Sequence, residues 1–146
     1  MKKRLFCLLT ALCLLVGMFP AAMAAEPVAS GVCGENLTWL LAEDGTLTIS
    51  GTGDMNNFYY ADDWVPNNCP WLHLKDLITT VVVESGVTTI GNDAFGGCKK
   101  LTDVYLPLTV TKIGSDAFNQ YHCSTFTLHY EGTQEQWSSV NIVSES

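Results

Sequence analysis

Basic side chains are scarce in this chain: there are seven, and Lys2, Lys3 and Arg4 account for three of them within the first four positions. From residue 25 onward four lysines, Lys75, Lys99, Lys100 and Lys112, face fifteen acids, a formal charge of −11. Such a surface repels phosphate backbones, and the lysines form no stripe, so nucleic acid is not expected as a partner. Anionic membranes are disfavoured for the same reason. There is no C-x-x-C, and His122 next to Cys123 is not a ligand pair of usual spacing, so no zinc site is expected. Asp44, Asp54, Asp62 and Asp63 lack EF-hand spacing, which removes the usual calcium reading. No cofactor or metal is expected at all.

Long apolar runs are equally scarce. LFCLLTALCLLVGMF, after the charged head MKKR and before Ala22-Met23-Ala24, has the layout of a secretory signal cut near Ala24, with a mature chain from about Ala25. No later stretch approaches the roughly 20 apolar residues that a spanning helix needs, so no membrane span is expected in the mature chain. A secreted or cell-surface address follows. The remaining 122 residues (25–146) suffice for one small domain or a few stacked repeats.

Four cysteines follow the cut: Cys33, Cys69, Cys98 and Cys123. Outside the cytoplasm an even number favours disulfides, and four cysteines allow three pairings. Cys33 and Cys69 bracket the non-repetitive segment and could close it. The competing reading is that the cysteines are buried apolar thiols.

The chain also contains a repeat. ITTVVVESGVTTIGNDAF (78–95) laid over LTDVYLPLTVTKIGSDAF (101–118) matches at nine of eighteen positions, at an offset of 23 with no gap. The shared residues are Thr79/Thr102, Val81/Val104, Val87/Val110, Thr88/Thr111, Ile90/Ile113, Gly91/Gly114, Asp93/Asp116, Ala94/Ala117 and Phe95/Phe118. An offset in this range is that of leucine-rich repeats. TDVYLP alternates with Val104 and Leu106 on one side, which suits a short strand, and Pro107 can end it. VTKIG alternates again. Gly114 is expected at a corner needing positive φ, and DAF is expected to begin a helical turn capped by Asp116. The predicted core is Val81, Val83, Val87, Ile90, Ala94, Phe95, Cys98, Leu101, Val104, Leu106, Val110, Ile113, Ala117 and Phe118. Each coil exposes an apolar ladder that only the next coil can cover, so the phrase recurs because each layer solves one packing problem.

The stretch VESGVTTIGNDAFGGCKKLTDVYLPLTVTKIGSDAF resembles the BspA-type leucine-rich repeat of exported bacterial surface proteins, in which V-T-x-I-G-x-x-A-F-x-x-C-x-x-L-T-x-V-x-I-P recurs. SGVCGENLTWLLAEDGTLTISGTGDM resembles the leader that often precedes such repeats, and LHYEGTQEQWSSVNI is similar to the segment that often closes them. The resemblance implies a mainly β fold with short helical turns: a small leucine-rich-repeat solenoid capped by an N-terminal β-hairpin. It divides the mature chain into a hairpin and aromatic-loop cap (25–76), two repeats (77–126), and a C-terminal cap and tail (127–146). The phrase calls for a cysteine at Tyr121, whereas Cys123 stands two places later, a two-residue insertion. Independently of the resemblance, LTWLLA and TLTIS alternate on either side of Glu43-Asp44-Gly45, which predicts strands near 37–42 and 46–50 joined by an Asp-Gly type turn. GTGDMNNFYYADDWVPNNCPWLH is too rich in Gly, Asn and Pro for a helix and is expected as an irregular loop.

No catalytic residue is assigned. Asp62 and Asp63 are adjacent, so they do not hold two carboxylates across one bond. Cys69 and His73 lack an orienting partner. The expected function is therefore that of a non-enzymatic protein-interaction or adhesion module, as the resemblance implies, with a protein or glycan at the cell exterior as partner. The alternative is a carbohydrate-binding accessory using an aromatic platform of Phe58, Tyr59, Tyr60, Trp64 and Trp71. Against it stands the reading that these rings plug the end of a small solenoid.

Overall fold

A computed structural model describes residues 27–59, 68–119 and 125–144. The expected signal segment, Tyr60, Asp62, Asp63, Trp64, Tyr121 and Cys123 lie outside these residues. Among the described residues ten strands follow one another: β1 (Pro27–Gly34), β2 (Leu37–Ala42), β3 (Thr46–Gly51), β4 (Gly53–Asp54), β5 (Thr80–Val83), β6 (Val87–Ile90), β7 (Asp103–Leu106), β8 (Lys112–Ile113), β9 (Thr127–Tyr130) and β10 (Asn141–Ile142). A 3-10 turn covers Leu72–Leu77 and a short helix α1 covers Gln134–Ser138. Among the described residues no helix is long and apolar enough to cross a membrane.

Two sheets form the walls. One runs β1-β2-β3-β5-β7-β9 and the other β10-β8-β6-β4. The β1-β2 and β2-β3 pairs are antiparallel; all other pairs are parallel. From β3 onward the chain therefore winds as a solenoid of four coils, each placing one strand in each sheet: β3/β4, β5/β6, β7/β8 and β9/β10. The internal repeat shows two of them. The leader supplies the first and the closing segment the fourth, because a strand joins the stack through lateral hydrogen bonds to its neighbour and does not need the whole consensus phrase.

The hairpin forms where alternation and the turn place it. Gly45 has φ 85°, its amide donates to the Ala42 carbonyl at 3.0 Å, and Asp44 Oδ1 accepts from the Thr46 amide at 2.9 Å. Leu37, Trp39, Leu41, Leu47 and Ile49 point inward and are buried. The hairpin is thus continuous with the solenoid sheet, with β3 paired directly to β5.

Between the sheets, Val81, Val83, Val87, Ile90, Ala94, Phe95, Cys98, Leu101, Val104, Leu106, Val110, Ile113 and Ala117 are buried, and Phe118 is half-buried. Aromatic rings run through the coils as a column. Trp71 stacks on Phe95 (5.7 Å, 11°), Phe95 on Phe118 (5.3 Å, 25°), and Phe126 follows Phe118 at 5.3 Å. Trp39 and Phe58 meet Trp71 edge-on at 5.7 and 5.3 Å. Offset and edge-on rings at such distances attract beyond their burial alone.

One expectation about the corner is corrected. Gly114 does not take the positive φ; Asp93 (φ 53°) and Asp116 (φ 51°) do. A short polar side chain tolerates that left-handed conformation better than most, which gives the kept aspartate a backbone reason beyond the expected cap. The glycines are needed for space: a Cβ on Gly91 would run into the Asn56 carbonyl oxygen, and one on Gly114 into Asn92 of the coil before. Residues 92–97 make turns and bends, closed by the Cys98 amide on the Phe95 carbonyl at 3.2 Å. Their amides bond sideways, Asp93 to the Ser115 carbonyl and Phe95 to the Ala117 carbonyl at 3.0 and 2.7 Å. The side chains continue this stitching. Asn57 Oδ1 accepts from the Asn92 amide at 3.0 Å, and Asn92 Oδ1 from the Ser115 amide at 3.1 Å.

The segment expected to be irregular throughout carries β4, paired to β6, and its last residues enter the 3-10 turn. There Lys75 is buried, its ammonium donating to the Gly96 carbonyl at 2.5 Å.

Candidate functional site

Registers fix which side chains leave the six-stranded sheet toward solvent. Val81, Val83, Val104 and Leu106 face the core, so Thr80, Val82, Asp103 and Tyr105 face outward, as alternation along a strand requires. Cross-strand partners share a face. Leu40, Thr48, Val82, Tyr105 and His129 therefore form one outward row, and Thr80, Asp103 and Thr127 a second beside it. On the other side the parallel register continues past the strand ends, since the Glu84 amide bonds to the Ile49 carbonyl and the Glu131 amide to the Leu106 carbonyl. That third row contains Ser50, Glu84 and Glu131, while Pro107, at the register position between the two glutamates, is buried.

Over β5, β7 and β9 these rows enclose an open groove of about 490 Å³. Its lining includes Val82, Glu84 and Ser85 from the first of these coils, Tyr105 from the next, and His129 and Glu131 from the last. Tyr105 is 42% exposed. It is held in place: His129 stacks on it at 4.3 Å and 8°, and His129 Nε2 lies 2.8 Å from Asp103 Oδ1. The hydrogen bond from His129, helped by Thr102, holds the Asp103 carboxyl below its usual range. The result is a preset flat ring pair, with carboxylates at the opposite margin.

A smaller hollow of about 210 Å³ lies against the last coil, beside Leu108, Val110, Tyr130 and Val140. It abuts α1, which begins with a reciprocal capping box: Thr133 Oγ1 accepts from the Gln136 amide at 3.2 Å, and Gln136 Oε1 from the Thr133 amide at 2.8 Å.

The residues singled out from sequence sit elsewhere. Phe58 and Trp71 are buried in the ring column, and the Trp71 indole donates to the Ala94 carbonyl at 2.8 Å. Tyr59 is 51% exposed, whereas Tyr60 and Trp64 are outside the described residues. Cys33 and Cys69 are both buried and within electrostatic reach of each other. Burial first, and then Cys69, pushes the Cys33 thiol up to about 12, and burial also raises Cys69. Raised thiols are the reverse of what nucleophilic cysteine chemistry uses. Asp44 and Asp54 serve separate local bonds: Asp54 accepts from the Thr88 and Thr89 hydroxyls at 2.6 and 2.5 Å, which lowers its pKa. Among the described residues no three His, Cys, Asp or Glu side chains gather as a metal site would require.

The groove residues Tyr105, His129 and Glu131 were not identified from sequence as contact residues, although a signal existed. Once Val104 and Leu106 face inward, Asp103 and Tyr105 must face outward, and the repeat offset places Val82 beside Tyr105.

Four coils, lateral backbone bonding, a run of four parallel strands in each wall and an apolar ladder between them define a leucine-rich-repeat solenoid. Within that class, residues 73–139 match the family model described as "BspA type Leucine rich repeat region (6 copies)", so the protein carries a BspA-type leucine-rich repeat region. A leucine-rich repeat protein from Eubacterium ventriosum, solved by crystallography, is similar at 37% identity and a TM-score of 0.56 over 68% of this chain. The chain spans only 26% of that protein's length. A leucine rich cell surface protein from Faecalibacterium prausnitzii also matches, at 13% identity and a TM-score of 0.32, over 75% of this chain and 41% of its own. No curated protein matches.

Proposed function

We propose that this is an exported, non-enzymatic interaction module that binds a partner protein on the outward face of its six-stranded sheet, at the groove over β5, β7 and β9. One observation supports the reading above others: Tyr105 and His129 form a braced, solvent-facing ring pair that adds nothing to the core beneath it. Exposed aromatic side chains held rigidly are the type that anchor interfaces, since little rotamer entropy remains to be lost on binding. Repeat folds offer their stacked strands as extended contact surfaces, and the longer Eubacterium protein has the same repeat class. The signal-like start of the chain supports an extracellular or surface address. The aromatic segment around Phe58 has less to offer a glycan, because two of its rings are spent in the core.

Crosslinking of Tyr105→Ser beside the unaltered protein to exposed cell-surface proteins tests this. Loss of the crosslinked species at an unchanged melting temperature is the expected result. Retention of every crosslinked species would remove the groove from the function.

A further inference from the structure

From the charges around the groove we infer its partner's chemistry: a protein segment presenting an arginine or lysine next to an apolar side chain, with the cation between Glu84 and Glu131 and the apolar group on Tyr105. This rests on the reading of the groove as the interaction face. Glu84 and Glu131 belong to one outward row, separated only by the β7 strand. Strands lie about 4.8 Å apart, so the two backbones stand roughly 10 Å from each other, a span that one guanidinium or ammonium with its hydrogen bonds can bridge. The position between them belongs to Pro107, which is buried and carries no donor or charge. Both glutamates line the groove and are exposed. Neither has an ion-pair partner among the described residues, and the lining contains no lysine or arginine. The cationic candidate in the lining, His129, is directed at Asp103.

Beside this acidic gap lies the Tyr105 ring with Val82, an apolar floor that also suits the flat face of a guanidinium. The wider field agrees in sign. The whole chain carries a formal −8, which draws a basic segment toward the protein before contact and turns an acidic one away.

Titration of the isotope-labelled protein with three peptides, followed by amide NMR shifts, tests the inference. The probes are Ac-Leu-Arg-Leu-Arg-NH2, its glutamine counterpart and its glutamate counterpart. The arginine peptide is expected to move the amides of Glu84, Ser85, Tyr105, His129 and Glu131 together, with shifts that fade as salt rises. The double change Glu84→Gln/Glu131→Gln is expected to weaken that binding about tenfold, with the spectrum itself reporting an intact fold. If the glutamine peptide moves the same amides equally well, the interaction face stands and the cation preference is overturned. If the arginine peptide moves only acidic sites outside the groove, or none, both the preference and the face are overturned.

Discussion

Alanine at Gly91 or Gly114 is expected to destabilise the fold by roughly 1–3 kcal/mol, the range of overpacking, because the neighbouring coil occupies the space a Cβ would take. Asp116 asks a different question of its backbone. With φ at 51° it is expected to tolerate glycine with little change or a gain, while alanine costs about 1 kcal/mol; chemical denaturation of the four single variants checks both halves. Asp103 gives a pH signature. Its carboxyl is held low in the folded protein by His129, so its contribution is present above the unfolded carboxylate pKa and is lost as pH falls through the lower, folded value. The stability difference between the unaltered protein and Asp103→Asn should accordingly be constant just above about pH 4 and close as acid is added below it. A difference unchanged down through the acid range would mean that the hydrogen bond with His129 is absent in solution. The kept glycine and aspartate were visible in the repeat, but their reasons were exchanged between them, because periodicity shows where a corner falls and not which residue bears the unusual φ.

Elements owe their legibility to how much of their cause is local. The β2-β3 hairpin was readable because alternation and an Asp-Gly turn act within fifteen residues (37–51). β1 was not, since PVASGVCG has no clear inward series and becomes a strand only by pairing with β2. β4 and β10, two residues each, exist through their neighbours β6 and β8. The helix α1 could have been anticipated from Thr133 and Gln136, whose spacing is that of a capping box. The ring column is the element most dependent on stacking, and its members should respond by depth. Phe95 is fully buried between Trp71 and Phe118, so Phe95→Ala is expected to cost about 3–5 kcal/mol. Phe118 is only half-buried, and Phe118→Ala should cost less than half as much. Equal losses in urea denaturation would show that the third coil is as tightly covered as the second.

At the scale of the molecule, the question is whether the leader is a lid placed on two repeats or the first turn of the same solenoid. A separable cap predicts that residues 77–144 retain a folded core without it. The sheet registers argue otherwise. β3 pairs with β5 over four residues and β4 with β6, so removing the leader strips one whole edge from both walls. It also removes Trp39, Phe58 and Trp71 from the ring column and opens Val81, Val83 and Phe95 to water. A protein of this size has stability of only about 5–15 kcal/mol in total, and losing a coil from a four-coil stack takes away one of three interfaces on which a solenoid's stability depends. A truncation beginning at residue 77 is therefore expected to lose cooperative unfolding and to bind a hydrophobic dye, whereas the untruncated protein melts in a single transition. If the truncation melts cooperatively near the original temperature, the leader is a separable cap after all.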